Sequence, residues 1–335
     1  MEFSVGVGLT NACDLACAHC YRDTTRIDQL TLDQVMGVCD TLPVRSINLG
    51  TGENGLHPDY DAIVDALAAR GVKLSLTSNG FTLDRSSDDT LRTFQEVEVS
   101  IDFPSEAEQD AFRGPGNWRR VMAAIDRARR LGVTVTVLTV MMKPNYRRLA
   151  EIARLAFGAG ANYRVNVYQP VKTDAFTLSY EEFWDGFRRL LAETRLVSTS
   201  EPILDAMLGA PFATGSGCGR QTVRVTPRGD IVPCVYWNRS DLRLDDLPRT
   251  GGAGVLESPQ FVRVRQVPAA CRGCPFVSTC HGGCAARREL AGGVEEPDPY
   301  CPLVRGKTVT LDWARAESRD LLKTGSACTS VFAPA

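Results

Sequence analysis

The chain has 335 residues, is 44% hydrophobic and 23% charged, and carries a formal net charge of −2 with a pI of about 6.0. These are the values of an ordinary globular protein, and they exclude a disordered or collagen-like chain and a nucleic-acid binder held by a basic surface. No apolar run reaches the roughly 18 residues of a membrane helix, and the segment Met1-Glu-Phe-Ser-Val lacks both parts of a secretion signal.

In chain order, short apolar runs predict strands over 3–9, 45–49, 72–76, 97–101, 133–140 and 163–168. Helix-period segments fall between them, over 31–41, 58–70, 84–93, 118–131 and 145–158. Thr31 and Asp33 stand where a helix N-cap and a first-turn acid belong. Gly71 and Gly132 follow their helices at the stop position. Strands alternating with helices imply a parallel sheet, and six such units fall short of the eight of a closed barrel. The expected fold class is therefore α/β, a partial (β/α)₆ barrel, over about 1–200.

The pattern then changes. Helices are expected over 180–193 and 201–208, followed by a Gly/Ser stretch at 215–217. Residues 223–226 and 231–236, joined through Pro227-Arg-Gly-Asp230, read as a β-hairpin. Residues 249–301 are rich in Gly, Pro and Cys with little core periodicity, so bound metal is expected to hold them. A last helix over 307–322 and a mobile tail complete the expectation. The domains are read as 1–200, a Cys-rich 201–305, and a C-terminal 306–335.

The twelve cysteines are clustered rather than spread. Cys13, Cys17 and Cys20 lie on one short loop after the first strand. Seven more fall between Cys218 and Cys301. In a chain of this size the pattern points to metal rather than disulfides. Three thiolates on one loop suit a [4Fe–4S] cluster with its fourth iron open. Zinc is the alternative, with His19 as a cramped fourth ligand in the first cluster and His281 in the second.

The Cys13-x₃-Cys17-x₂-Cys20 loop after the first strand resembles the signature of the radical S-adenosylmethionine (SAM) enzymes. In that family the open iron binds SAM, and its reductive cleavage yields a 5′-deoxyadenosyl radical that abstracts hydrogen from substrate. Thr51-Gly52-Glu53-Asn54 is similar to the family's GGEP motif, with Thr51 and Asn54 as departures. Glycine is useful there for close approach of backbone to a ligand. Thr77-Ser-Asn79-Gly80 resembles its T-N-G turn, and Ser100-Ile-Asp102 its ribose-contacting pair. The resemblance implies SAM contacts from His19, Tyr21, Gly52, Glu53, Asn79, Ser100 and Asp102, with Arg113 and Arg164 as partners for the SAM carboxylate.

The C-terminal run is similar, spacing by spacing, to the seven-cysteine SPASM extension of that family. The resemblance implies two auxiliary [4Fe–4S] clusters. Cys271, Cys274, Cys280 and Cys301 would bind one completely, and Cys218, Cys234 and Cys284 the other. Some members carry a further cysteine six residues before the Cys218 position, where this chain has Phe212. Cys328 reads as a tail thiol, with a return to that cluster as the alternative. Cys39 reads as a small core residue, and His57 as a loop or helix-cap residue rather than a catalyst.

Two enzyme readings follow. The compact chain, its first strand starting at residue 3, favours a small-molecule substrate such as a sugar or nucleoside, along the lines of the cytosylglucuronate decarboxylase type. The alternative is a maturase of ribosomally made peptides. A non-catalytic iron–sulfur electron-transfer protein is the reading from another class. Flavodoxin or ferredoxin is the expected electron donor, neither nucleic acid nor membrane is an expected partner, and a reducing cytoplasm is the expected setting.

Overall fold

The computed structural model describes residues 2–209, 217–237, 239–317 and 327–335. Six strands run in parallel and pair in sequence order: β1 (Phe3–Val7), β2 (Val44–Leu49), β3 (Lys73–Ser78), β4 (Phe94–Ser100), β5 (Thr134–Met141) and β6 (Asn162–Val167). Their connections carry α1 (Leu32–Thr41), α2 (Tyr60–Ala69), α3 (Phe81–Arg85), α4 (Asp88–Arg92), α5 (Glu106–Arg113), α6 (Asn117–Arg130) and α7 (Leu149–Gly158). This is the expected α/β architecture. The sheet is open, with eleven strands among the described residues.

Local chemistry explains the boundaries. Thr31 caps α1 in a reciprocal capping box with Gln34. Gly71 and Gly132 turn away from their helices at φ +70° and +76°, where a Cβ would be strained. The helix expected over 84–93 is two, because Ser87 caps a second one: its hydroxyl accepts from Thr90 N–H at 3.0 Å.

Next come α8 (Tyr180–Glu193), β7 (Thr194–Thr199), α9 (Pro202–Leu208), β8 (Thr222–Val225) and β9 (Ile231–Val232). The expected hairpin is there, and β8 also pairs in parallel with β1, so it extends the main sheet. The short helices α10 (Leu247–Thr250), α11 (Pro259–Val264), α12 (Val277–Cys280) and α13 (Ala285–Ala291) carry the Cys-rich segment. The Gly/Ser stretch lies largely outside the described residues, and Phe212 lies wholly outside them.

The C-terminal expectations need correction. Residues 307–317 form no helix; they run without regular structure into a two-residue strand, β10 (Ala314–Arg315). Val309, Leu311 and Trp313 all pack on the core, the period of two of an extended chain. The tail is also not loose. Residues Thr329–Pro334 form β11, a mostly buried strand placed antiparallel between β6 and β7. Apolar packing holds the Cys-rich segment as well: Val255 and Phe261 join the main core, while Val264, Ala285, Ala286 and Val294 form a smaller one with Val232 and Trp237.

A buried ion network joins that segment to the barrel. Arg287 of α13 donates to Glu201, the N-cap residue of α9, at 2.7 Å and to Asp298 at 2.6 Å. All three side chains are at least 97% buried. The guanidinium also lies over the Tyr300 ring, 4.8 Å from its centroid.

Candidate active site and cluster-binding cysteines

A solvent-open cleft of about 1240 Å³ lies across the C-terminal ends of the strands. Cys13, Cys17 and Cys20 all line it, with Gly52 and Glu53 after β2, Asn79 after β3 and Ser100 at the end of β4. The structure therefore brings the three N-terminal thiols and most of the expected SAM contacts to one place.

The cysteine loop is built by residues that motif reading passed over. Asn11 donates to the carbonyls of Asp23 and Arg26, both at 3.0 Å, and accepts from Asp28 N–H at 2.8 Å. Arg22 ties Asn11 O (2.7 Å) to Leu15 O (2.8 Å). A buried side chain that satisfies several backbone groups fixes a loop without regular structure. No signal in the sequence marked either residue.

Gly52 is required by the protein itself. A Cβ there would stand 2.5 Å from both Thr10 O and Ala12 O, and φ is +62°. The need expected from ligand approach is thus met first by the chain's own backbone. Next to it, Thr51 adopts φ +88°, a costly conformation for a β-branched residue. Its hydroxyl pairs with Tyr21 Oη at 2.9 Å and accepts from Arg224 of β8.

Glu53 faces inward. Its carboxylate accepts from Asn79 N–H and Thr82 N–H, both at 2.9 Å, and from the hydroxyls of Ser78 and Thr82. Burial pushes its carboxyl up, against the pull of these four bonds. It fastens the loop after β2 to the turn after β3. Asn79, held in this way, donates to Asp14 at 2.8 Å and to Cys13 Sγ at 3.6 Å.

Asp102 does not line the cleft. It is fully buried, receives Arg113 at 2.7 and 2.8 Å and Val140 N–H at 3.0 Å, and has His19 Nε2 at 3.7 Å. It positions Arg113 and His19 rather than facing a ribose. Arg164 lines the cleft but is bound to two carboxylates, Glu96 and Glu98, each at 3.1 Å. That leaves it no net charge to offer a SAM carboxylate. Arg224 is different: it is buried, its guanidinium is used by Gly50 O and Thr51, and no carboxylate pairs with it among the described residues. Burial pushes its guanidinium down. A lone Arg in the alternating Thr-Val-Arg-Val strand was the available signal.

His19 stacks on Phe112, centroids 4.9 Å apart. Burial pushes its pKa down to about 4, so the ring is neutral near pH 7, and its Nδ1 has no protein partner among the described residues. His57 is a buried loop residue: Nδ1 accepts from Asp59 N–H at 3.0 Å, which puts the proton on Nε2 for Leu30 O at 2.7 Å.

The thiols suit an iron–sulfur cluster. Burial pushes the Cys13 thiol up to about 12 and that of Cys17 upward, so a strongly charged metal centre would be needed to hold them as thiolates. In the C-terminal segment, Cys271, Cys274, Cys280 and Cys301 neighbour one another and line a common cavity beneath α9. Cys218, Cys234 and Cys284 form a second group, together with Cys328. No three or more His, Cys, Asp or Glu side chains among the described residues close around a single ion.

Residues 7–156 match the Radical SAM superfamily, and residues 217–275 match the SPASM iron–sulfur cluster-binding domain. The chain is a radical SAM enzyme with a SPASM extension, which works with [4Fe–4S] clusters and SAM. Among curated proteins it is similar to the mycofactocin maturase MftC of Mycolicibacterium smegmatis, at 27% identity over 88% of this chain and 81% of the relative. It is also similar to the PqqA peptide cyclase of Xanthomonas euvesicatoria, at 27% identity over 89% of this chain and 87% of the relative. The same fold is seen in Streptococcus suis SuiB bound to its precursor peptide SuiA, with a TM-score of 0.64, 15% identity, and 89% of this chain and 75% of that one covered. It is seen again in anSMEcpe with bound AdoMet, with a TM-score of 0.68, 14% identity, and 91% of this chain and 95% of that one covered. No helix among the described residues is long and apolar enough to cross a membrane.

Proposed function

We propose that this enzyme modifies a peptide, using SAM-derived radical chemistry in the cleft at the strand ends. The observation that carries the reading is the kinship with two groups of proteins named for peptide maturation and cyclisation, each spanning nearly nine-tenths of this chain. The sugar or nucleoside substrate expected from the compact chain gives way to it.

The space beside the cleft is compatible with the same reading. A second cavity adjoins the first and shares Tyr21, Arg22, Thr51, Arg224, Val235 and Tyr236 with it. The two cavities are thus neighbours across these six side chains. Lys172, Arg228, Asp23 and Asp28 line the outer part, where Arg228 is already paired with Asp23 at 2.8 Å and with Asp28 at 3.2 Å.

Cys13, Cys17 and Cys20 would hold the cluster that supplies the electron for SAM cleavage. Gly52, Asn79, Ser100, His19 and Tyr21, which line the cleft together, would contact SAM. Arg224, which no carboxylate pairs among the described residues, would be the cation for a carboxylate, since Arg113 is already paired with Asp102. Cys271, Cys274, Cys280 and Cys301 would hold one auxiliary cluster, and Cys218, Cys234 and Cys284 belong to the other.

The test is anaerobic incubation of reconstituted enzyme with SAM, reduced flavodoxin or ferredoxin, and a short precursor peptide encoded beside the gene. Formation of 5′-deoxyadenosine with a matching mass change in the peptide is expected. SAM cleavage stimulated by sugars or nucleosides, with every peptide left unchanged, would overturn the reading.

A further inference from the structure

We propose that Cys328 is the fourth ligand of the auxiliary iron–sulfur cluster held by Cys218, Cys234 and Cys284, which is thereby closed to substrate. The proposal rests on the iron–sulfur reading above and goes beyond it, because it concerns a thiol outside the SPASM segment.

Four thiols meet from four separate stretches of chain. Cys218 precedes β8, Cys234 follows β9, Cys284 is the N-cap residue of α13, and Cys328 leads into β11. The Cys328 thiol is within hydrogen-bonding reach of those of Cys218 and Cys284, and the Cys234 thiol within reach of Cys218. Four cysteine sulfurs are the full donor set of a [4Fe–4S] cluster.

Backbone pairing fixes the position of Cys328. Its neighbour Thr329 donates to Ser200 Oγ at 3.0 Å, and Thr329 O accepts from Ser200 N–H at 2.8 Å. On its other side Thr329 is in register with Asn166 of β6. A residue clamped between two strands does not reach the thiol group by chance swinging of a tail. Cys39, the other thiol without an assigned cluster, packs on the core from α1.

The consequence is chemical. A cluster with three cysteines leaves one iron for a substrate ligand; a cluster with four does not. The substrate of this enzyme would then be held by the cleft residues and not by an auxiliary iron.

The test uses the Cys13/Cys17/Cys20→Ala protein, in which only the auxiliary clusters remain. It is expected to hold about eight irons after reconstitution. Adding Cys328→Ala or Cys328→Ser is expected to remove about one iron and to give the oxidised protein a three-iron electron paramagnetic resonance signal that the parent lacks. An unchanged iron count and spectrum in both variants would overturn the assignment. A parent protein that binds no iron at all would instead defeat the iron–sulfur reading.

A second measurement needs no substitution. The complete chain is alkylated before and after reconstitution, and peptide mass spectrometry follows each thiol. Loss of Cys328 labelling on cluster loading, with Cys39 labelled equally in both states, is expected. Equal labelling of Cys328 in both states while Cys218 becomes protected would refute the proposal, as would a disulfide at Cys328 in the loaded protein.

Discussion

Replacing Glu53 by Gln tests the inward clamp beneath the SAM site. The carboxylate receives four donors: Asn79 N–H on Oε2, and Thr82 N–H with two hydroxyls on Oε1. A glutamine keeps one acceptor oxygen and turns the other into a donor. Its better orientation puts the new NH₂ against Asn79 N–H, since the Oε1 side would oppose three donors. An unsatisfied buried N–H costs about 1–3 kcal/mol. The other three bonds change from charge-assisted to neutral, a further loss that is offset by the easier burial of a neutral amide. The net cost of about 1–3 kcal/mol falls on the turn that carries Asn79. SAM affinity should fall by whatever share of this cost the free protein avoids by letting the turn move, at most roughly 150-fold since about 1.4 kcal/mol is tenfold in an equilibrium. Unfolding of a chain this size carries about 0.7 kcal/mol per degree, so the melting temperature should fall by about 1–4 °C. Equilibrium dialysis with reconstituted Glu53→Gln protein reads the first quantity and calorimetry of the apoprotein the second. Ser78→Ala removes one donor to Glu53 and also leaves Gly80 N–H without the hydroxyl it reaches at 2.9 Å, so it should lower the melting temperature by a similar amount. A Glu53→Gln protein that binds SAM and melts like the unsubstituted enzyme would refute the clamp.

Three further outcomes follow from geometry already described. Thr51→Ala keeps the strained backbone and loses the hydroxyl shared with Tyr21 and Arg224, whereas Thr51→Gly also releases the strain. The glycine variant should be the more stable by about 1 kcal/mol, which paired melting curves will read. Arg287→Met strands two buried carboxylates, at a cost of about 3–5 kcal/mol or about 4–7 °C in the melting temperature, and an unchanged melt would contradict the network's role. Asp205 of α9 is buried with neither oxygen bonded, and burial pushes its pKa from 3.8 to about 6. A carboxyl raised in the folded state stabilises in its protonated form, so this contribution is lost as pH rises from about 4 to about 6. Asp205→Asn should therefore melt higher than the parent above pH 6, with the gain fading toward pH 4.

The barrel half was legible because its signals are local. Alternation of apolar runs with helix-period segments, and a cap such as Thr31, are set by residues a few positions apart. The cysteine groups were legible because ligand spacing is itself a short-range pattern. What was missed depends on distant partners. β7 follows α8 with no Gly or Pro between them, and its edge is covered by β11. The described part of the 307–322 segment, 307–317, offers enough apolar residues for either period, and only packing selects two over 3.6, while 318–322 lie outside the described residues. Glu53, Asp102 and Arg164 carry the residue types of a binding site, yet each is spent on internal partners that no motif records.

The placement of β11 also has a meaning for how the molecule is made. A strand that lies between β6 and β7 must enter a slot bounded on both sides, and its contact with Ser200 spans 129 residues. Until Thr329–Pro334 have left the ribosome, β6 and β7 have no hydrogen-bonded neighbour at that slot, and closing so long a loop is slow. An early chain would therefore present two open sheet edges, the surfaces on which β-rich intermediates associate. Insertion of β11 seals them and, in the same motion, carries Cys328 to the other three thiols. Completion of the sheet and completion of the thiol set are one late event, so iron delivered before it would meet an unfinished site.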